Sequence, residues 1–320
     1  MGKLLITGGA GFIGSALAMK ALERGWGVRV LDNNPIFNHP FSEQFKSIGV
    51  EIIKGDIRDR DLMKVAIEGC NAVVHLAAQV SVPISVINPE ETLDINVKGT
   101  SKVIQLCHEF GIERLIMASS AAVYGECENF PLKEEEAGQT LSPYAHSKWT
   151  NEKQIIDARN MGLKAAVLRF FNVYGPGQSP EGSYAAVIPK FIDQMVNGIS
   201  PQINGDGLQT RDFIHVDDVS NAILALLAGD WKAEDYHVFN VASQTETSLN
   251  DLVEIINKAI GNVRPAHESI YPTYGPIRSG DIRHSFADIE RMRTTYGWNP
   301  AILFQNGIDE MVKEKINNER

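Results

Sequence analysis

The chain has 320 residues, 43% of them hydrophobic and 22% charged, which is ample for a large buried core and indicates neither disorder nor a coiled coil. A formal net charge of −10 argues against an extended nucleic-acid partner, because affinity for a phosphate backbone comes from Lys and Arg, although a few converging arginines can still receive an anionic small molecule. Cys70, Cys107 and Cys127 are odd in number, widely spaced and free of CxxC or Cys/His spacing, and the histidines do not cluster; this fits a reducing cytoplasm and no metal ion.

In chain order, Lys3–Thr7 reads as a buried strand that runs into the turn ITGGAGFIG and then a helix over Phe12–Arg24. It does not read as a signal peptide, since no cleavage region follows and Arg24 and Arg29 soon interrupt the apolar run. No stretch reaches the roughly 18 apolar residues of a membrane span. The turn sets Gly8, Gly11 and Gly14 at the opening of the helix. Glycines there let the backbone approach a pyrophosphate, which meets free N–H groups and the positive end of the helix dipole. A plain tight turn explains the same glycines equally well. The next strand, Val28–Asp32, ends on a carboxylate that can accept both ribose hydroxyls of NAD and would repel the 2′-phosphate of NADP. The chain continues Asp32-Asn33-Asn34 with no arginine, so NAD is preferred.

Glu51–Lys54 is a third strand, followed by Asp56-Ile57, where either an adenine contact or a helix N-cap is expected, and by a helix over Arg60–Glu68. Strands at Ala72–Leu76, Arg114–Ser119 and Ala165–Phe170 alternate with helices over Glu91–Phe110 and Pro143–Met161. This alternation predicts an α/β fold with a parallel, doubly wound sheet and right-handed crossovers. From Gly175 the texture changes to the connections GPGQSPEG, NGDG and YPTYGP between helices near Ala185–Asn197, Val216–Ala228 and Leu249–Ile260. A smaller, loop-rich substrate domain is expected there, with Tyr236–Val241 returning as a strand to the main sheet. Neither an internal repeat nor a low-complexity linker is visible.

Tyr144 and Lys148 stand at i and i+4 in SPYAHSK, near the start of a helix opened by Pro143, a spacing that stacks both on one face. A phenol titrates near about 10, so it serves as a base at neutral pH only where neighbouring positive charge stabilises the phenolate. Taken alone, the pair reads more readily as surface residues of an amphipathic helix; the glycine turn and Asp32 upstream reverse that judgement. Ser120, in SSAAVYG, lies at the carboxyl edge of the sheet, where ligands bind in open α/β folds, and its hydroxyl can share a moving proton. Strand-end capping, the competing role, suits Ser119 better.

Six ordered motifs, TGGAGFIG, HLAA at His75–Ala78, SSAAVYG, SPYAHSK, RFFNVYGPGQ at Arg169–Gln178 and TRDFIHVDD at Thr210–Asp218, together resemble the extended short-chain dehydrogenase/reductases. Within them the chain resembles the UDP-hexose 4-epimerases over essentially its whole length. The resemblance implies a Rossmann domain over 1–174, with a returning segment near 212–243, and a smaller α/β nucleotide-sugar-binding domain, mainly 175–320. It implies that NAD is held by Gly8, Gly11, Phe12, Ile13, Gly14, Asp32, Asn33, Asp56, Ile57, Leu76, Ala77, Ala78, Asn96, Ser119, Tyr144, Lys148 and Phe171. Tyr144 would remove the proton of the sugar 4-OH while C4 delivers hydride to NAD, giving a 4-keto sugar that rotates and is reduced from its other face. Lys148 would hold the nicotinamide ribose and lower the tyrosine pKa, and Ser120 would orient the 4-oxygen. For the UDP-sugar, the resemblance points to Ser81, Ser120, Asn172, Val187, Arg211, Arg278, Asp281 and Ser285. Arginines suit phosphate through charge-assisted hydrogen bonds, although Arg211 can also be read as a surface ion pair with Asp212 or Asp217.

Two departures narrow the implied chemistry. Related 4,6-dehydratases carry an Asp-Glu pair directly after the catalytic hydroxyl, where Ala121 and Ala122 stand here, and the Glu of decarboxylating relatives is also missing. Ser285, in GDIRHSFAD, matches a position bordering the sugar C2 substituent; a tyrosine there excludes N-acetyl groups, so a serine admits UDP-GlcNAc and UDP-GalNAc beside UDP-Glc and UDP-Gal. The phrase GSYAAVIPKF at Gly182–Phe191 likewise resembles the N-acetylhexosamine-using branch. Rival readings are a UDP-uronate 4-epimerase, a reductase or dehydratase on the same scaffold, and a non-catalytic NAD-binding sensor, against which the retained Tyr144 and Lys148 argue. A homodimer paired through the helices Glu91–Phe110 and Pro143–Met161 is also implied, although helices packed inside one monomer show the same pattern.

Overall fold

Strands and helices alternate because short, continuous apolar runs rich in β-branched residues give way to longer runs of period 3.6. The computed structural model describes residues 2–34, 48–181, 186–231, 237–277 and 282–318. Its first six strands are β1 (Lys3–Thr7), β2 (Gly27–Asp32), β3 (Glu51–Lys54), β4 (Ala72–His75), β5 (Arg114–Ser120) and β6 (Ala165–Phe170). The second half supplies β7 (Asn172–Tyr174), β8 (Gln202–Asn204), β9 (Thr210–His215), β10 (Val238–Val241), β11 (Glu246–Ser248) and β12 (Thr273–Gly275). Tyr236, expected to begin the returning strand, and Ala185, expected to begin a helix, lie outside the described residues.

The main sheet is parallel throughout, in the order β10-β6-β5-β4-β1-β2-β3. This is the doubly wound α/β arrangement, with its switch point between β1 and β4. Every residue of β4 and β6 is buried, as central strands covered on both faces require. In β1, Leu4 and Ile6 face a core shared with the helices Phe12–Glu23 and Val216–Ala228, whereas Leu5 faces a core built with Arg60–Ile67, Thr100–Glu109 and Pro143–Asn160. Strand alternation thus feeds two layers from one segment. A third core joins Phe213 of β9 to the helices Val187–Val196, Leu249–Val263 and Phe304–Asn318. It lies with a smaller sheet of order β11-β9-β7.

One expected helix is interrupted. Glu91–Phe110 is not uniform: Pro89–Leu93 passes through a π-helical turn, Asp94–Gly99, before Thr100–Glu109. The turn lets its carbonyls look sideways: Asn151 Nδ2 donates to the Asn96 carbonyl at 2.9 Å and Gln154 Nε2 to the Val97 carbonyl at 3.3 Å. Gly99 closes the turn where a Cβ would lie 2.6 Å from Ile57 Cδ1, so the helix approaches the loop after β3 closely. No helix among the described residues is long and apolar enough to cross a membrane.

Candidate active site

At the carboxyl ends of β1 and β4 the crossovers diverge and leave a cleft of about 780 Å³. Its floor is the glycine turn. Gly8 has φ +69°, and a Cβ there would stand 2.7 Å from the Ala77 nitrogen; a Cβ on Gly14 would stand 2.4 Å from the Gly8 carbonyl oxygen. Side chains at these positions would fill the cradle or push the turn away from the helix. The helix that begins at Phe12 has no side-chain cap and no acidic residue in its first turn, so its opening N–H groups and dipole are left to an anion. The carboxylate of Asp32 at the end of β2 is fixed by the Ala10 and Asn34 amides, each at 3.0 Å. These features fit a dinucleotide, with phosphates over the turn and ribose at Asp32.

Of the residues expected at the cofactor, all line this cleft except Asn96. Asn96 is buried behind it, where its amide exchanges hydrogen bonds with the Gln79 backbone and donates to Ser147 Oγ at 2.9 Å. Its position braces the cleft wall rather than facing it. Asp56 lines the cleft, but the alternative of a helix N-cap is corrected: Asp59 caps the helix Arg60–Ile67, while Asp56 accepts from the Arg58 backbone at 2.8 Å and pairs with its guanidinium at 2.6 Å. Gln79, Ile95 and Gln178 also line the cleft and were not anticipated there. Gln79 directly follows HLAA and Gln178 closes the motif RFFNVYGPGQ, so motif position is the only signal that reaches them.

The trio expected to be catalytic, Tyr144, Lys148 and Ser120, comes from two elements. Ser142 caps the helix Pro143–Asn160 by accepting from the Ala145 amide at 3.1 Å, and Ser85 Oγ accepts from the Tyr144 amide at 3.1 Å. Tyr144 and Lys148 then enter the cleft one turn apart, opposite Ser119 and Ser120 at the end of β5. Lys148 Nζ donates to the Ala118 carbonyl at 2.9 Å and lies 6.0 Å from the Tyr144 ring centre. Burial pulls this ammonium down to about 8, against the attraction of Glu152. Burial raises the Tyr144 phenol above its ordinary value, and a hydrogen bond with Ser120 opposes the shift. Desolvation thus outweighs the Ser120 hydrogen bond, and the lowering implied for a tyrosine base calls for the positive charge of the cofactor as well. The strand-end capping read for Ser119 falls instead to Ser120, which, beside its hydrogen bond with Tyr144, accepts from Ala122 N at 3.2 Å and caps the short turn Ala121–Tyr124, whereas Ser119 Oγ donates to Glu152 at 2.5 Å.

Behind the trio lies a polar layer that sequence reasoning missed. Glu152 forms a two-point pair with Arg169 of β6, Nε to Oε1 at 3.0 Å and Nη2 to Oε2 at 2.7 Å, with both side chains at most 3% exposed. Arg169 continues to the Tyr124 hydroxyl at 3.0 Å and the Glu134 carbonyl at 2.7 Å, and Tyr124 donates to Asn240 of β10 at 2.6 Å. His75, from HLAA, is held between Thr7 Oγ1 at 2.7 Å and Thr100 Oγ1 at 2.9 Å, and burial keeps it neutral by lowering it to about 3.

Among the described residues, the expected sugar-side residues do not line the cleft, apart from Ser120. Ser81 caps the helix Val82–Ile87, Asn172 opens β7 and is exposed, and Val187 opens the helix Val187–Val196. Arg211 of β9 donates to the Thr210 carbonyl at 2.8 Å. Neither proposed carboxylate is its ion-pair partner: Asp217 pairs with Lys20 at 2.8 Å, and Asp212 is buried among the Ser243, Gln244 and Ala287 donors. Ser285 is buried and flanked by two contacts to β9 on either side of Arg211, Thr210 N to the Arg283 carbonyl and Ala287 N to Asp212. Arg278 and Asp281 lie outside the described residues, as does most of Gly182–Val187 before its helix.

A family model described as "NAD dependent epimerase/dehydratase family" matches residues 4–242. A UDP-glucose 4-epimerase of Mycolicibacterium smegmatis is 35% identical, with 97% of each chain covered. The crystal structure of the Thermotoga maritima UDP-glucose 4-epimerase with UDP-glucose superposes with a TM-score of 0.90 at 32% identity, over 99% of this chain and 100% of that one. A UDP-N-acetylglucosamine 4-epimerase of Methanobrevibacter ruminantium, in complex with UDP-N-acetylmuramic acid, gives 0.89 at 36% identity over 99% of both chains. With these matches spanning the glycine turn, the Tyr144 helix and the second half alike, the chain belongs to the NAD dependent epimerase/dehydratase family, among the UDP-sugar 4-epimerases.

Proposed function

We propose that the protein interconverts UDP-hexoses epimeric at C4, using NAD and passing through a 4-keto sugar. The observation that carries this reading is the convergence of Tyr144, Lys148 and Ser120 on the cofactor cleft, with Ala121 and Ala122 beside them instead of acids. When bound, oxidised NAD supplies reversible hydride acceptance and a cationic ring. Gly8, Gly11 and Gly14 would seat its diphosphate and Asp32 its adenosine ribose. Tyr144 takes the proton from the sugar 4-OH and later returns it; the added positive charge offsets the upward shift that burial imposes on its phenol. Ser120, hydrogen-bonded to the phenol, holds the 4-oxygen, and Lys148 keeps positive charge next to the developing phenolate. With no carboxylate at 121 or 122, nothing in that turn removes a second proton, so water is retained in the sugar.

In this reading Ser81, Asn172, Val187, Arg211, Arg278, Asp281 and Ser285 receive the UDP-sugar, and Ser285 leaves room for a C2 N-acetyl group. Residues 1–174, with the segment near 212–243, hold the cofactor, and the rest of 175–320 holds the nucleotide sugar. A cytoplasmic homodimer completes the reading; Ile156 and Met161, exposed along the Tyr144 helix and just past its end, suit its contact face.

The test is product analysis by proton NMR after incubation with UDP-Glc, UDP-GlcNAc and UDP-glucuronic acid separately. Interconversion at C4 of one or both hexoses is expected. Tyr144→Phe should lower turnover by at least about 100-fold, the scale of a lost general base, while NAD still co-purifies. Undiminished turnover in that variant would remove Tyr144 from the chemistry.

A further inference from the structure

Glu152 stands one helical turn beyond Lys148, as Lys148 stands one turn beyond Tyr144, so the three line one face of one helix. Neither Glu152 nor Arg169 lines the cleft. Lys148, Glu152 and Arg169 are 5%, 1% and 2% exposed, so their charges act on one another with little screening by water. Glu152 is immobilised at both oxygens: Oε1 accepts from Ser119 Oγ and Arg169 Nε, and Oε2 from Arg169 Nη2. Arg169 is held in turn by Tyr124 and Glu134. Among the described residues, the groups that face Lys148 are Tyr144 and Glu152 from its own helix, neutral His75 from β4, and the Ala118 carbonyl of β5; Arg169 of β6 reaches it through Glu152. Among the described residues, Glu152 is thus the one anion beside a buried ammonium.

We propose that Glu152 and Arg169 are positioning residues for Lys148: Glu152 holds the buried amine in its charged form, and Arg169 both fixes Glu152 and limits its pull. The pair acts through Lys148 and touches neither substrate nor cofactor. The proposal rests on the assigned roles of Tyr144 and Lys148. It explains why a charged pair is kept where apolar packing would serve stability as well. Removal of the anion leaves Arg169 repelling the lysine, and removal of Arg169 leaves Glu152 attracting it without counterweight. The two substitutions therefore move the lysine in opposite directions, which loss of packing alone does not do.

The experiment compares wild type, Glu152→Gln, Arg169→Gln and the double variant. Titration of Lys148 is followed by carbon NMR of lysine labelled at Cε, assigned with Lys148→Gln, alongside the pH profile of kcat. The amine of Glu152→Gln should titrate about one pH unit or more below wild type, the scale of a neighbouring charge, with the alkaline limb of kcat moving down with it. Arg169→Gln should shift both upward, and the double variant should fall between the single variants. Shifts in a common direction, no shift, or a double variant lower than Glu152→Gln would overturn the proposal. Should one single variant not fold, the other and the double variant still give a predicted order. Tyr144→Phe, run in parallel, separates the two ideas: full turnover there defeats the assignment of the base, whereas a dead Tyr144→Phe with unshifted lysine titrations defeats only the role of the pair.

Discussion

Gly14 is packed so tightly under the turn that a Cβ would meet two backbone atoms, Gly8 O at 2.4 Å and Gly9 Cα at 2.6 Å. Neither can rotate away. Gly14→Ala should therefore cost about 1–3 kcal/mol of stability by overpacking and loosen the cofactor cradle, read as a lower melting temperature and less co-purifying NAD. If the proposed role of Ser285 holds, Ser285→Tyr should reduce turnover of UDP-GlcNAc by about tenfold or more while UDP-Glc turnover survives, measured by paired kinetics. Equal losses on both sugars would place Ser285 away from the C2 substituent. Gly8, Asp32 and the Tyr144–Lys148 spacing were legible in the sequence because each requirement is local: a turn, a strand end, one helix face. Glu152 was not, because an acidic residue in a helix is ordinary and Arg169 reaches it from a strand with no sequence proximity. That Ser120 rather than Ser119 caps the next turn was not legible either, since it depends on the partner that faces each, here Glu152 for Ser119.

At the scale of elements, six strands of the main sheet were legible from apolar runs to within a residue or so of their ends. The π-helical turn was not: Asn151 and Gln154, which take its carbonyls, come from another helix. The short strands of the second half were equally hidden, because their pairing is fixed by side chains such as Asp212. That carboxylate joins β9 to the turn at Ser243-Gln244 and to Ala287, two residues past Ser285. Desolvation raises Asp212 to about 6 from an ordinary 3.8, despite these donors. Between those values the folded chain holds a proton that the unfolded chain has released, so the contribution of Asp212 to stability falls as pH rises through this window. In thermal melts, the advantage of wild type over Asp212→Asn should shrink from pH 4 to pH 7. A constant advantage would show that the carboxyl titrates normally.

Across the whole molecule, the order β10-β6-β5-β4-β1-β2-β3 means that the cofactor-side sheet is completed by a strand from the second half. Phe239 and Val241 of β10, with Ile214, Ala222 and Ile223 before it, share the core of Leu4 and Ile6. A chain ended at Tyr174 should accordingly lack a cooperative thermal transition and fail to bind NAD. A cooperative transition in that fragment would show that the first half stands alone. The alternation of strands and helices announced the sheet; the returning strand was readable, but the charged layer that ties it to β6 through Asn240, Tyr124 and Arg169 was not. The pairing of Val238 with Val167 also sets a timetable for biosynthesis. Until the ribosome has released Val238–Val241, β6 is the open rim of an unfinished sheet, able to pair with any strand nearby, and this is the interval in which the nascent chain most needs a chaperone.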